Sequence, residues 1–234
     1  MMLIGLPMDM TRVAEVETEL TVEKLKAMST IEAHPLVAKA KFKLQIAEMK
    51  KANAKLKKKT KSLSDFEDLS FNPGSNTQKS ILFYEVMKLP ILDYTDSKLP
   101  SCSGKTIKKL VNHCATEEDK ELLQAFMKYL DTDKILGTFI KAFKDFELTR
   151  SNTSWLNGNQ KLGGTVSGRL ASNEPNLANL PSNSIYGKSI KSCFVAPTGW
   201  LFAGSDFSAL EDRIIAIISK DPQKTRIFTE GIDG

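Results

Sequence analysis

The sequence predicts an α+β chain, mainly helical over its first 145 residues, with short strands only near its end. Three observations predict it. Apolar residues recur at helical spacing through most of the first 145 residues; a stretch rich in Gly, Asn, Ser and Thr breaks that periodicity from residue 151; and two short apolar runs flank a turn at Pro197 and Gly199. With 234 residues, 41% of them hydrophobic and 26% charged, the chain is long enough to bury a core. That excludes disorder throughout and suits one large domain or two small ones. The shift in composition divides the chain into residues 1–150, with a protruding tip near 57–80, and residues 151–234.

A first helix is read over 11–27, where Val13, Val16, Leu20 and Ala27 share one face; Val22 and Leu25 fall off it and suggest cover on a second side. His34-Pro35 interrupts the pattern. A second helix is read from Leu36 to about Leu56, with rows Leu36, Ala40, Leu44, Ala47 and Phe42, Ile46, Met49, Leu56. Its end, KLKKKTKS (55–62), has no apolar partner after Leu56 and is expected to project into solvent or toward a ligand. Residues 62–80 have the Ser, Asn, Asp, Pro and Gly content of loops and turns, which makes them a tip between helical arms. Helical patterns return at about 78–87, 103–114 and 117–145, with Pro90 and Pro100 breaking the chain between the first two.

Residues 152–189 show little periodicity, and so long a structureless loop in a compact domain points to function. The runs 193–197 and 200–206 are read as two buried strands of a hairpin. A helix opens at Ser208-Ala-Leu-Glu211 and is apolar over a wide arc through Ile214, Ile215, Ile217 and Ile218. Asp221-Pro222 caps a last short helix, with proline at its first position.

Charge is unevenly placed. Lys plus Arg number 33 against 28 Asp plus Glu, a net +5, yet residues 39–61 hold ten Lys and a single acid, Glu48. Such a local excess suits a polyanion, although a solvated helix face is the commoner reading of a Lys run on charge alone. Three cysteines (Cys102, Cys114, Cys193) and two histidines (His34, His113) form no CxxC pair or ligand cluster, which excludes a zinc site and fits a reducing compartment. No run of 18 apolar residues occurs, and the N-terminus lacks the pattern of a secretory signal. A cytoplasmic chain without membrane contact is expected.

The sharpest chemical feature is Asp206, at the end of the apolar run WLFAGS and just before a helix start. A carboxylate held there suits a divalent metal in phosphoryl-transfer chemistry, and it equally suits a helix cap.

Around it lie longer patterns. GSDFSALEDRIIAIIS (204–219) resembles motif A of the family-A DNA polymerases, and GGTVSGRLASNEPNLANLP (163–181) resembles the segment that precedes motif A in that family. Upstream, FNPGSNTQKSILF (71–83) is similar to the family's thumb element F-N-x-x-S-x-x-Q, with Lys79 where Leu is usual, and KILGTFI (134–140) is similar to K-L-x-x-T-Y-I. GLPMDM (5–10) resembles the opening of the polymerase domain, so the likeness covers nearly the whole chain, nearest to phage-type members in its LEDR variant. It implies an incomplete right-hand fold: a helical thumb over 1–150, then the first strands and helix of a palm over 151–234.

The resemblance implies roles as well. Asp206 is placed as the first catalytic carboxylate, binding Mg²⁺ together with the backbone carbonyl of Phe207, in a two-metal transfer of a nucleotide to a primer 3′-hydroxyl. Ser208, Ala209, Leu210 and Glu211 line the nucleotide, with Glu211 as the steric gate against a ribose 2′-OH, although Ser208-x-x-Glu211 also matches a capping box. Arg169 reaches the minor groove, where acceptors sit at equivalent positions in every base pair, so a donor tests pairing without reading sequence. Asn176, Asn179, Lys134 and Lys191 contact the duplex, and Arg213 supports the motif. Outside these motifs the two asparagines read as turn residues and the two lysines as solvated surface.

Departures from the family pattern are Ala209 for a polar residue, Asp212 for an apolar one, and Ser189 and Ser192 where cations are common. The 234 residues hold neither an O-helix pattern (R-x-x-x-K-x-x-x-[FY]-G) nor a second motif Asp. The isolated chain is therefore expected to be inactive, needing a second fragment with fingers and remaining palm besides primer–template DNA and deoxynucleoside triphosphates. The alternative is a non-catalytic, sequence-independent primer–template binding module.

Overall fold

The computed structural model describes residues 5–55, 60–150, 152–181 and 185–231. They form two compact units, Met1–Val195 and Ala196–Gly234.

The first unit opens with β1 (Leu6–Met8) and α1 (Met10–Ala33). The Asp9 side chain starts α1 by accepting from the Arg12 N–H at 3.1 Å, and Val13, Val16, Leu20, Ala27 and Ile31 form its buried stripe. Val22 and Leu25 are exposed, so the expected second covered side is absent. His34 is extended, as the residue before a proline prefers, and its Nδ1 caps α2 (Pro35–Asn53) by accepting from the Leu36 N–H at 3.2 Å.

α2 buries Val37, Ala40 and Leu44; of the first predicted row Ala40 and Leu44 are buried and Ala47 is exposed, and of the second Phe42 is 52% exposed while Ile46 and Met49 are half-buried. The helix also stops short of its predicted end. The Asn53 carboxamide accepts from the Lys61 N–H at 2.7 Å and donates to the Lys61 carbonyl at 2.9 Å, which turns the chain back after Asn53. Leu56 and the lysines at 57–59 lie outside the described residues. In the tip, the Gln45 side chain donates to the Phe66 carbonyl at 3.1 Å, fixing a short 3₁₀ turn (Leu63–Phe66) beneath α2.

α3 (Asn76–Ser80) runs directly into a π-helical turn at Ile81–Val86. α4 (Gly104–Leu110) is capped by Ser103, and α5 (Glu117–Ile135) by Thr116, with Glu117, Glu118 and Asp119 in its first turn, where the helix dipole favours acids. α5 passes through a π-helical segment, Leu136–Ile140, into α6 (Lys141–Asp145), so the predicted 117–145 helix is one run with an internal widening. One core gathers Ile31, Leu82, Phe83, Ile107, Leu122 and Phe126, with Phe83 and Phe71 edge-on to Phe126 at 5.2 and 6.1 Å. A second gathers Val13, Val16, Phe143, Leu156, Ile190 and Cys193. Ion pairs Lys24–Asp133 (2.6 Å) and Lys144–Glu17 (2.9 Å) tie α1 to α5 and α6.

The segment from 147 onward is more ordered than its composition suggests. β2 (Glu147–Arg150) and β3 (Thr153–Leu156) join β1 in an antiparallel sheet of order β1-β3-β2, with Leu6 and Glu147 both opposite Leu156. β4 (Asn159–Lys161) and β5 (Ala171–Asn173) form a second antiparallel pair, and α7 (Gly187–Lys191) follows. Strands of three or four half-exposed residues are too short to show alternation, which is why the sequence reads this region as loop.

The predicted hairpin of 193–197 with 200–206 does not form. Phe194 instead bridges to Met8, and the Val195 N–H donates to the Pro7 carbonyl at 3.2 Å, adding the first run to the edge at β1. In the second unit the turn is present, with the Trp200 N–H bonded to the Pro197 carbonyl at 2.9 Å and Gly199 at φ +84°. Residues 200–206 beyond it are irregular and exposed, Leu201 by 91%. A strand needs a neighbour for its backbone donors and acceptors, and this run enters no strand pairing among the described residues. α8 (Leu210–Ser219) and α9 (Pro222–Glu230) complete the unit; Asp221 caps α9 by accepting from the Gln223 N–H at 2.8 Å, and Gly231 at φ +65° ends it.

Candidate functional site

Asp206 sits in the exposed irregular segment ahead of α8. The turn that enters the helix is unusual, because Ala209 occupies the cap position in the left-handed region, at φ +49°, and no side chain caps the first turn. The capping box read at Ser208 and Glu211 is therefore not formed: the cap lies one residue later than that box requires. Ser208 instead offers its carbonyl to the Arg213 Nε at 2.8 Å, and the Arg213 N–H bonds to the Ala209 carbonyl at 3.0 Å. Arg213 also lies over the Phe228 ring at 4.8 Å, and Lys224 pairs with Asp212 at 3.3 Å, so α9 braces the start of α8. Glu211 is exposed in the first turn of α8, where backbone N–H groups have no partner within the helix. The Ile-rich face of α8 stays open, with Ile214, Ile215, Ile217 and Ile218 all exposed.

In the first unit, Arg169 lies near the end of the exposed loop from β4 to β5. Gly163 and Gly168 take φ +66° and +78° there, and the Thr165 hydroxyl donates to the Arg169 carbonyl at 2.8 Å. Asn176 and Asn179, both exposed, flank a short 3₁₀ turn at Leu177–Asn179. What fixes that turn is a residue that no motif or periodicity singles out. The buried Ser172 hydroxyl accepts from the Leu177 N–H at 3.0 Å and donates to the Pro175 carbonyl at 3.3 Å. Arg169, Asn176 and Asn179 thus belong to one clasped β4–β5 element. Lys191 is the last residue of α7, and Lys134 is exposed in the last turn of α5, ahead of the π-helical segment.

Among the described residues no group of three or more His, Cys, Asp and Glu side chains gathers to hold a metal ion. Asp206 is one carboxylate, and the donor set for a two-metal site is not completed by the described residues. Nor is any helix of these residues long and apolar enough to cross a membrane.

Residues 39–233 match the model for DNA polymerase family A. The chain is 30% identical over 169 residues to DNA polymerase I of Pseudomonas aeruginosa, covering 72% of this chain and 18% of that protein. It is 29% identical over 163 residues to the thermostable DNA polymerase I of Thermus aquaticus, covering 70% of this chain and 19% of that one. The chain therefore spans less than a fifth of the length of these relatives. Its fold resembles part of a solved POL domain of Pol1 from M. smegmatis in complex with DNA primer-template and dNTP, with a TM-score of 0.70, 18% identity and coverage of 98% of this chain and 33% of that one.

Proposed function

Because the chain belongs to DNA polymerase family A, we propose that it supplies the duplex-gripping thumb and the first metal-binding carboxylate of a template-directed DNA polymerase. The observation that carries this reading is the family match across residues 39–233, which takes in both the 163–181 segment and the strand-to-helix segment at 204–219. The likeness in fold to a domain that holds primer–template DNA and a dNTP supports the same assignment of partners.

In this reading the clasped β4–β5 element offers Arg169 to the minor groove and Asn176 and Asn179 to the duplex, while Lys134 and Lys191 meet backbone phosphates. The N–H groups at the start of α8 face the triphosphate, and Glu211 stands against its sugar. Family-A polymerases use Mg²⁺, which activates the attacking hydroxyl and stabilises the leaving group. Asp206 and the Phe207 carbonyl would hold it together with ligands from the fingers and remaining palm of a family-A polymerase domain, which the described residues do not supply. That portion would also cover the open Ile face of α8.

Primer extension with Mg²⁺ and deoxynucleotides tests the reading, using the chain alone, the chain with a fingers–palm fragment, and Asp206→Ala in both. Extension only in the mixture, abolished by Asp206→Ala, is the expected result. Duplex binding with no extension in either mixture would reduce the chain to a DNA-binding module.

A further inference from the structure

Lys79 is the one charged side chain buried among the described residues, at 3% exposure, and it stands where its family motif usually has Leu. Its ammonium makes a single hydrogen bond, donating to the Cys102 carbonyl at a long 3.4 Å, and no carboxylate among the described residues pairs with it. Burial holds its pKa below that of an ordinary lysine. A desolvated cation with one weak acceptor is costly unless an anion completes its shell.

The surroundings supply a place for one. Lys79 lines a cavity of about 750 Å³ shared with Lys105 and Lys108 of α4 and Lys134 of α5. Lys105 and Lys108 are three residues apart on α4, so one helix face presents both. Asp131 and Asp133 also border the cavity, but Asp133 is committed to Lys24 at 2.6 Å and the charge nearest Asp131 is Lys134, so neither carboxylate pairs with Lys79. The exposed lysines are mobile, strongly hydrated cations, whereas a buried one is fixed at the floor.

We propose that this cavity seats a phosphodiester group of duplex DNA, with buried Lys79 as its fixed cation and Lys105, Lys108 and Lys134 closing around it. The inference rests on the primer–template reading above and adds a phosphate contact by a residue that the family motif does not provide. Duplex backbone is favoured over a free nucleotide because the lining is cationic and no aromatic side chain borders the cavity to stack a base.

The test is equilibrium binding of a labelled primer–template duplex to the whole chain across a salt series, comparing wild type, Lys79→Leu and the exposed double variant K105A/K108A. Lys79→Leu restores an apolar residue to a buried position and is expected to keep the fold and its thermal stability. It should lose affinity and flatten the plot of log K against log salt by ~0.9, the slope of one phosphate contact. The double variant should flatten the plot further without touching the buried position. A Lys79→Leu slope equal to that of wild type, in a chain that binds duplex, overturns this inference and leaves the polymerase reading standing. No duplex binding by wild type overturns both. Inorganic phosphate binding lost in Lys79→Leu, with the duplex slope unchanged, would assign the cavity to free phosphate and overturn the duplex assignment.

Discussion

Arg213 donates from Nε to the carbonyl oxygen of Ser208 at 2.8 Å, so a residue inside α8 holds the backbone of the segment that delivers Asp206. The same guanidinium lies over Phe228, which makes α9 part of the support. A flat, forked cation can hold both partners at once, and an ammonium cannot.

Arg213→Lys is therefore expected to lose one of the two contacts and Arg213→Ala both. Losing a cation–π contact at an exposed site removes about 0.5–1 kcal/mol of local stability. Amide exchange at the start of α8 should speed by roughly two- to five-fold in both variants, read by mass spectrometry or NMR. Rescue by Lys would show that charge alone suffices and that the fork geometry is idle.

Glu211 stands in the first turn of an α8 that begins without a side-chain cap. Glu211→Ala removes the carboxylate from that turn. Its expected effect is on sugar choice: in an assembled polymerase, ribonucleotide incorporation relative to deoxyribonucleotide should rise by about tenfold or more, the scale on which a pocket senses one hydroxyl. Single-nucleotide insertion with paired substrates checks it, and a large drop in melting temperature would instead mark the residue as structural.

Ser172 is buried beneath the turn that carries Asn176 and Asn179. Ser172→Ala leaves the Leu177 N–H without its acceptor, at a cost of about 1–3 kcal/mol. Denaturant unfolding should register that loss, and duplex affinity should fall although Ser172 reaches no ligand. Ser172→Thr keeps the hydroxyl and separates the hydrogen bond from simple loss of packing.

Tyr84 donates its phenol to the Ser101 carbonyl, and burial, with smaller contributions from Cys102 and Asp93, pushes its pKa up to about 12 from 10.0. A folded pKa above the unfolded one favours the protonated phenol in the native state. The stability it contributes is complete below pH 10 and is lost as pH rises from there through about 12. Tyr84→Phe should be less stable than wild type at neutral pH, and the gap should close across that alkaline window when urea midpoints are compared. Absorbance titration should show one tyrosine that ionises near pH 12 in the wild type and is absent from the variant.

Much of the architecture was legible in residue order. The stripe Val13, Val16, Leu20, Ala27 is the buried face of α1, Asp221-Pro222 begins α9, and the patterns at 163–181 and 204–219 lie within the span that matches the family. These signals are local: a helix writes its buried face at fixed spacing, and a motif is contiguous chain.

The rest was decided by residues far apart in sequence. The 200–206 run is as apolar as a strand, yet a strand exists only where another backbone lies alongside, and the partner of its neighbour Phe194 is Met8, near the opposite end of the chain. α2 stops at Asn53 because that carboxamide meets the backbone of Lys61, and composition gives no hint of the meeting. Lys79 stands where its motif usually has Leu, and only the packing of α3 near Cys102 and α4 shows it buried beside a cationic cavity. Sequence alone determined the long helices and the family to which the chain belongs; tertiary structure decided which polar groups lost their water, because desolvation depends on everything that packs around a group and not on its neighbours in the chain.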